Sequence, residues 1–193
     1  MVDYERNVST NIVILDRDGV INEDSPDYIK SPQEWIPIPG SIDSIAQLCR
    51  AGYRVVIATN QSGVSRGLFD ESMLSKIHHK LCSMVESRGG VISGIFYCPH
   101  SPEANCACRK PATGLLTQIE KKMKSSLSGC HLIGDSKRDI QAALAFGCVP
   151  VLVRTGNGIA TEQLLATDFK TRIDVFDNLA DAVCHLYFGG HAN

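Results

Sequence analysis

Short β-branched apolar runs alternate with segments of helical period along this chain, and this alternation limits the possible folds. The runs predict five strands: Ile12–Leu15, Val55–Ala58, Ile95–Tyr97, His131–Ile133 and Val149–Val153. Between them, helices are predicted over residues 41–51, 71–88, 113–124 and 139–146. Gly52 and Gly147 follow two of these helices, where a C-terminal glycine is common. We therefore expect an α/β domain with a mostly parallel sheet covered on both faces.

Length and charge exclude several classes of protein. A chain of 193 residues that is 44% hydrophobic can bury one sizeable core, so we expect a single domain over residues 1–193, with a frayed tail at 188–193. A formal net charge of -2 argues against a nucleic-acid partner, and the apolar runs are too short for a membrane span. The polar N-terminus lacks a signal peptide. We therefore expect a cytoplasmic monomer whose eight cysteines are reduced.

Two carboxylates directly follow the first predicted strand. Asp16 and Asp18 come after Ile12–Leu15, and Gly19 allows the chain to turn away. Because side chains alternate along a strand, the two carboxylates start on one side, where they repel each other unless a cation lies near. Mg²⁺ prefers such oxygen ligands. We therefore favour a Mg²⁺ site over the alternative, a solvated turn.

Two other predicted strands end in polar clusters. The second leads into Thr59-Asn60-Gln61-Ser62-Gly63, whose hydroxyl and backbone N–H groups suit a phosphate, although on its own this stretch is better explained as an ordinary turn. The fourth leads into Gly134-Asp135, where Asp135 is a candidate metal ligand. Asp139 is better explained by the dipole of the helix that follows, with a helper role at the site left open. In a parallel sheet all these strand ends meet at one edge.

In this order, the motifs resemble the haloacid dehalogenase superfamily of phosphatases over almost the whole chain. The matching motifs are Asp16-Arg17-Asp18-Gly19-Val20-Ile21-Asn22, Thr59 in Thr59-Asn60-Gln61-Ser62-Gly63, Lys110 in Arg109-Lys110-Pro111, and Gly134-Asp135. Three further stretches are similar to members that act on sugar bisphosphates: Asp27-Tyr28-Ile29-Lys30-Ser31-Pro32, Ser62-Gly63-Val64-Ser65-Arg66-Gly67 and Tyr97-Cys98-Pro99-His100. The resemblance implies a Rossmann-like three-layer fold and hydrolysis of a phosphate ester.

The resemblance also implies a role for each motif residue. Asp16 would attack phosphorus as a nucleophile, and Asp18 would protonate the leaving group and then activate water. Mg²⁺ would be held by Asp16, the main-chain carbonyl of Asp18 and Asp135. Thr59 and Lys110 would stabilise the phosphoryl oxygens in the transition state.

A second metal site is predicted in the loop 98–111. Cys98, His100, Cys106 and Cys108 supply the four ligands of a closed, structural Zn²⁺ site. The alternative is a set of packed cysteines, but this polar loop offers them no core to enter. Because Cys108 is followed at once by Arg109 and Lys110, the zinc would order the loop that presents Lys110.

Segment lengths leave no room for a separate cap domain, so we expect an open site rimmed by loops. The residues predicted to bind substrate are Asp24, Ser25, Pro26, Asp27, Asn60, Gln61, Ser62 and Arg109. Many relatives carry a cation where this chain has Ser136, and Lys137 or Arg138 could compensate. Arg66 and Arg154 could approach a second phosphate. His78 and His79 are predicted to lie away from the site, as surface or partly buried side chains.

Three functions fit these motifs. The first is a Mg²⁺-dependent phosphatase that removes one phosphate from a small sugar bisphosphate. The second is a histidinol-phosphate phosphatase of histidine biosynthesis on the same scaffold. The third is a catalytically dead, zinc-stabilised binding protein, which is disfavoured because Asp16, Asp18, Thr59, Lys110 and Asp135 are all present.

Overall fold

The computed structural model describes residues 11–168 and 173–189. It contains six strands: β1 (Ile12–Leu15), β2 (Arg54–Asn60), β3 (Ile92–Cys98), β4 (His131–Gly134), β5 (Val149–Val153) and β6 (Asp174–Phe176). The α-helices are α1 (Ser41–Arg50), α2 (Glu71–Ser87), α3 (Gly114–Met123), α4 (Lys137–Phe146), α5 (Gly158–Asp168) and α6 (Leu179–Phe188). A short 3-10 helix covers Pro102–Ala104.

All six strands run parallel in one sheet of order β3-β2-β1-β4-β5-β6. The strand β1 lies between β2 and β4, with Leu15 paired to Ile57 on one side and to Ile133 on the other. The chain therefore reverses its direction of winding at β1, and crevices for ligands form at such points, beyond the carboxyl ends of the strands. The predicted parallel α/β fold is confirmed.

The sheet is buried on both faces because alternate residues of its strands enter two different cores. Val13 and Leu15 of β1 pack in the core that includes residues of α1, α2 and α6. Ile12 and Ile14 pack in the other core, with residues of α3 and α4. Strands covered on both faces are continuously apolar, which explains why β1 reads as an unbroken apolar run. This packing fixes the end of β1, and with it the position of Asp16.

Three elements near the C-terminus were not predicted from the sequence: α5, β6 and α6. The helix α5 lacks a clear apolar stripe, and β6 is only 3 residues long. Of the tail predicted at 188–193, the structure describes Phe188, which ends α6, and Gly189, which caps the helix with a positive φ of 76°. Residues 190–193 lie outside the described residues. Within the described ranges, no helix has the length and apolar character needed to cross a bilayer.

Candidate active site

An open cavity of about 230 Å³ lies at the carboxyl ends of β1, β2 and β4. It brings together most of the residues predicted to form the site: Asp16, Asp18, Asp24, Ser25, Pro26, Thr59, Asn60, Gln61, Ser62, Arg109, Lys110 and Asp135. It is also lined by Ser136 and Arg138, which the sequence analysis weighed for substrate binding, and by three residues that it did not assign to the site: Tyr28, Ile29 and Asn157. Asp27, predicted with its neighbours, is exposed and is not among the lining residues.

Asp16 and Lys110 form a buried ion pair in this cavity. The Nζ of Lys110 lies 3.0 Å from Oδ2 of Asp16 and donates a hydrogen bond of 2.6 Å to the main-chain oxygen of Ala58. Lys110 is only 1% exposed and also pairs with Asp139. Burial lowers the pKa of Lys110, but Asp139 and Asp16 more than offset this effect, so the pKa lies above its usual value. Lys110 is therefore a fixed positive charge beside Asp16.

The second metal-ligand candidate, Asp135, lies where two glycines allow a close approach. A Cβ atom on Gly19 or on Gly156 would overlap the Asp135 carboxylate, and both glycines have positive φ. The main-chain N–H of Asn157 donates to Oδ2 of Asp135 at 2.7 Å, and its side-chain amide donates to the same oxygen at 3.2 Å. That amide also donates to Asp24 at 2.9 Å, so Asn157 links the rim of the cavity to Asp135.

The carboxylates of Asp16, Asp135 and Asp139 fit a hard divalent cation. One oxygen of each lies within 4.8 Å of the others. Burial raises the pKa of Asp16 to about 8, with Asp139 and Asp135 adding to the rise and Lys110 opposing it. Burial and Asp139 likewise raise the pKa of Asp135 to about 6. A cation bound between these carboxylates would relieve the repulsion between their negative charges. Mg²⁺, which prefers oxygen ligands, is such a cation.

Asp139 contacts both the start of α4 and the site residue Lys110. It is fully buried, and its carboxylate pairs with Lys110 and accepts hydrogen bonds from the N–H and hydroxyl groups of Ser136. With Ser136 it forms the capping box that starts α4. Asp139 therefore combines its position in the first turn of α4 with an ion pair to Lys110. Ser136, the position at which the resemblance implies a cation, is part of this cap.

The side chain of Asp18 accepts hydrogen bonds from a polar network and is not part of the cluster formed by the carboxylates of Asp16, Asp135 and Asp139. It accepts from Arg17 Nε at 3.0 Å and Nη2 at 2.9 Å, from Asn22 at 2.9 Å and from Gln61 at 2.8 Å. The same amide nitrogen of Gln61 donates to the hydroxyl of Thr59 at 2.9 Å. These hydrogen bonds fix the position of the Asp18 carboxylate. Arg17 and Asn22 were not predicted to serve the site, because they occupy the spacer positions of the motif.

The four predicted zinc ligands lie together at the end of β3. Sulfur atoms of Cys98, Cys106 and Cys108 are 3.1 to 3.5 Å apart, and Nδ1 of His100 lies 3.6 Å from Cys98 and 3.3 Å from Cys108. A tetrahedral site with zinc–sulfur bonds of about 2.3 Å has ligands separated by nearly 4 Å, so this cluster has the right shape and a slightly small size. Burial raises the pKa of Cys106, but hydrogen bonds from Cys108 and Cys98 outweigh this and lower it to about 6. The donor set fits Zn²⁺.

Other predicted residues have partners of their own. The Asn60 side chain bonds to the main chain of Lys110, although it also lines the cavity. Arg154 pairs with Glu162 and Asp177, so its charge is already matched. Arg66 lies 3.8 Å from Glu103. His78 is partly buried and does not line the cavity, as predicted, but its Nε2 lies 3.3 Å from Nη1 of Arg17, so it contacts the network around Asp18. His79 is exposed, as predicted.

Comparison with known proteins places this fold and site in a family. A family model described as HAD-hydrolase-like matches residues 107–182. A phosphatase of Pseudomonas putida is 48% identical over 169 residues, which cover 88% of this chain and 95% of that protein. The chain therefore belongs to the haloacid dehalogenase-like hydrolases. That relative is named D-glycero-beta-D-manno-heptose-1,7-bisphosphate 7-phosphatase, as is a protein of Bordetella bronchiseptica that is 51% identical over 150 residues, covering 78% of this chain and 84% of that protein.

Solved structures agree with the sequence relatives. The crystal structure of D,D-heptose 1,7-bisphosphate phosphatase from B. bronchiseptica, complexed with magnesium and phosphate, matches with a TM-score of 0.86 and 47% identity. The match covers 91% of this chain and 97% of that one. The enzyme of the same name from Burkholderia thailandensis matches with a TM-score of 0.70 and 37% identity, covering 90% and 96% of the two chains.

Proposed function

We propose that the protein is a Mg²⁺-dependent phosphatase that removes the 7-phosphate of D-glycero-β-D-manno-heptose 1,7-bisphosphate. This reaction supplies heptose precursors for the lipopolysaccharide core, in the cytoplasm. The observation that carries the proposal is the Asp16 carboxylate, which lies in the cavity between the fixed cation Lys110 and the carboxylate of Asp135. The names of the relatives support the substrate and its β anomer.

The first half-reaction transfers the phosphoryl group to the protein. One oxygen of Asp16 attacks phosphorus in line, a new O–P bond forms, and the bond from phosphorus to the sugar oxygen breaks. Asp18 gives a proton to that leaving oxygen, so a neutral alcohol departs. Lys110 and the hydroxyl of Thr59 bind the phosphoryl oxygens, where negative charge resides in the transition state. The product is an aspartyl phosphate on Asp16.

The second half-reaction regenerates Asp16. Asp18, now ionised, takes a proton from a water molecule, whose oxygen attacks phosphorus. The bond between phosphorus and the Asp16 oxygen breaks, and inorganic phosphate is released. The same carboxyl group thus carries the proton in both directions, and it needs a stable position beside the reacting phosphorus.

Asp16, Asp135 and the main-chain carbonyl of Asp18 would hold Mg²⁺. When bound, Mg²⁺ favours the ionised form of Asp16 and offsets the repulsion between that carboxylate and the phosphate. Asp139 is less available as a ligand, because Lys110 and Ser136 already occupy its oxygens.

The Zn²⁺ of the second cluster would have a structural role. Four protein ligands leave no open position, so this metal would not touch the substrate. The zinc would fix the position of the next two residues, because Arg109 and Lys110 come directly after the ligand Cys108. A fixed loop lets Lys110 reach the phosphate without being ordered at each turnover.

The distal part of the substrate would meet the rim of the cavity. Arg109 is half-buried beside Lys110, and its Nη1 donates to the main-chain oxygen of His100 at 3.1 Å. The remaining guanidinium N–H groups are suited to a second phosphate or to sugar hydroxyls. Asp24, Ser25 and Pro26 line the same cavity and would contact the sugar.

A phosphate-release assay over a panel of phosphate esters tests the proposal. The panel contains heptose 1,7-bisphosphate in both anomeric forms, a hexose monophosphate, an aryl phosphate and histidinol phosphate. We expect the β-heptose bisphosphate to give the highest kcat/KM, only with Mg²⁺ present, and Asp16→Asn to abolish release while the variant stays folded. Faster turnover of histidinol phosphate would assign the chain to the second function, and no turnover of any ester would favour the binding protein.

A further inference from the structure

His78 contacts the buried Arg17, and the proposed mechanism gives it no part. It belongs to α2, one helical turn after the buried Leu74, and its ring centroid lies 5.9 Å from that of Tyr97 on β3. It is half-buried and is not among the residues that line the cavity. Any effect of His78 on the reaction must therefore pass through another side chain.

That side chain is Arg17, which stands between the nucleophile and the proton carrier in the sequence. Arg17 is fully buried, and its guanidinium is held on three sides. One edge donates two hydrogen bonds to Asp18 at 3.0 and 2.9 Å, Nη2 also donates to Gln61 Oε1 at 3.1 Å, and Nη1 lies 3.3 Å from His78 Nε2. A planar group held at several edges has one allowed orientation.

The contact with His78 defines the state of the imidazole. A guanidinium has only N–H groups and always donates, so the Nε2 that faces it must offer a lone pair. The hydrogen of the neutral ring then lies on Nδ1. In agreement, burial lowers the pKa of His78 to about 3, with a further contribution from the charge of Arg17. His78 is therefore a neutral acceptor for a buried cation.

We propose that His78 is a positioning residue for Asp18, acting through Arg17. The inference rests on the proposed function, because it assumes that Asp18 carries the proton. His78 provides the acceptor that keeps Nη1 turned towards α2, and this orientation leaves the opposite edge of the guanidinium facing Asp18 and Gln61. Gln61 extends the arrangement to Thr59 through a single amide nitrogen that donates to both Asp18 and Thr59.

Loss of the His78 acceptor would disturb the position of Asp18 and would leave the nucleophile Asp16 in place. A buried N–H without a partner is unfavourable, so Arg17 would turn to find another acceptor and would carry Asp18 with it. The nucleophile is held independently: Asp16 contacts Lys110 and the main-chain N–H of Arg17 at 2.7 Å. Asp16 would still attack phosphorus with the same geometry. Proton transfer from Asp18 to the leaving group would become slower, because Asp18 would be misplaced.

Two variants separate positioning from simple packing. His78→Phe keeps a ring of similar size but removes the acceptor, and His78→Gln keeps an acceptor oxygen. His79→Phe is the matched control, because His79 is the exposed neighbour on the same helix. Each protein is assayed for kcat and KM with the heptose bisphosphate and with an aryl phosphate, and its thermal unfolding is recorded. An aryl phosphate of an acidic phenol releases its leaving group without a proton, so its kcat/KM does not depend on the acid.

For His78→Phe we expect kcat/KM with the sugar phosphate to fall on the order of 10- to 100-fold, part of what a general acid contributes. The kcat/KM for the aryl phosphate should change less than about threefold, since the attack itself is intact. His78→Gln should restore most of the activity with the sugar phosphate, and His79→Phe should behave as the wild type. If His78→Phe does not fold, His78→Leu takes its place, since it also lacks the acceptor.

Equal losses with both substrates, no loss with the sugar phosphate, or failure of His78→Gln to restore activity would each overturn the inference. A different outcome would show that the proposed substrate is wrong: the wild type would hydrolyse other alkyl phosphates better than the heptose bisphosphate. The same comparison is then made with the alkyl phosphate that the wild type prefers. A wild-type protein that hydrolyses no ester overturns both proposals.

Discussion

Asn60 and Lys110 exchange two hydrogen bonds: the side-chain amide of Asn60 donates to the main-chain oxygen of Lys110, and the N–H of Lys110 donates back to Oδ1 of Asn60, each at 3.1 Å. The pair joins the end of β2 to the loop that follows the cysteine cluster. Lys110 is thus fixed at its main chain as well as at its ammonium group.

Asn60→Ala is predicted to lower both stability and kcat. The variant loses two hydrogen bonds, a loss of about 1–2 kcal/mol in the free energy of unfolding, and Lys110 becomes less well placed beside the phosphate. Urea unfolding and steady-state kinetics measure the two effects. Asn60→Asp keeps the acceptor for the Lys110 N–H and should lie between the wild type and Asn60→Ala. Unchanged kcat in Asn60→Ala would mean that the ion pairs alone fix Lys110.

Asp16→Asn is predicted to increase stability in magnesium-free buffer while it abolishes activity. The pKa of Asp16 is about 8 in the folded protein, against an ordinary value of 3.8 in the unfolded chain. The folded protein therefore retains a proton that the unfolded chain has released, and this group makes the protein less stable as the pH rises from about 4 to about 8, by at most roughly 1.4 kcal/mol per pH unit. Asparagine does not titrate, so the stability of the variant does not fall with pH for this reason.

Urea unfolding of both proteins at several pH values checks this prediction. The difference in the free energy of unfolding between Asp16→Asn and the wild type should be largest near pH 8 and should approach zero towards pH 4. Added Mg²⁺ should stabilise the wild type more than the variant, because Asp16 is one of its proposed ligands. A gap that does not change with pH would show that Asp16 is ionised in the metal-free protein.

The cysteine cluster is predicted to hold about one zinc per chain in protein purified without chelators. Elemental analysis measures the content. Cys106→Ser should lose the metal, lower the free energy of unfolding by a few kcal/mol and reduce kcat, because metal binding stabilises the folded loop that carries Lys110. Cys184→Ser, which lies on α6 outside the cluster, is the control and should keep its zinc. A wild type free of zinc, or a fully active Cys106→Ser, would refute the structural role.

Arg109→Ala is predicted to weaken catalysis with the bisphosphate by roughly 2–3 kcal/mol, or about 30- to 150-fold in kcat/KM, the range for a lost charged hydrogen bond. Its effect on a small monophosphate should be much less, because no second phosphate is present. Arg66→Ala is the control, since Arg66 is exposed and does not line the cavity. Equal losses with both substrates would mean that Arg109 serves the reacting phosphate.

The sequence predicted the centre of the site because the carboxyl ends of parallel strands lie at the same edge of the sheet. Asp16, Thr59 and Asp135 each follow an apolar run, so their proximity follows from the sheet alone. Lys110 is different: it follows no predicted strand, and only the resemblance to a family placed it at the phosphate. The structure shows the physical reason for its position, which is a buried ammonium group between Asp16 and Asp139.

The supporting residues could not be predicted, because their roles depend on contacts between distant elements. Arg17 appears in the sequence as a spacer, and its partner His78 lies 61 positions away on α2, so no local pattern links the two residues. Asn157 follows β5 in a loop without a motif, yet it bonds to Asp135. Asp139 has the ordinary position of a helix-capping residue, and its partner Lys110 enters from another loop.

The mixed lining of the cavity has a consequence for inhibitor design. Carboxylates such as Asp16 and Asp135 lie beside the cations Arg109 and Lys110, and Pro26 and Ile29 are among the few apolar contacts. Drug-like ligands usually gain affinity from apolar walls, which this cavity lacks. A compound that binds tightly here must replace the water around several charges at once, so it must be nearly as polar as a sugar phosphate. The property that makes such a compound fit the site would slow its passage through a membrane.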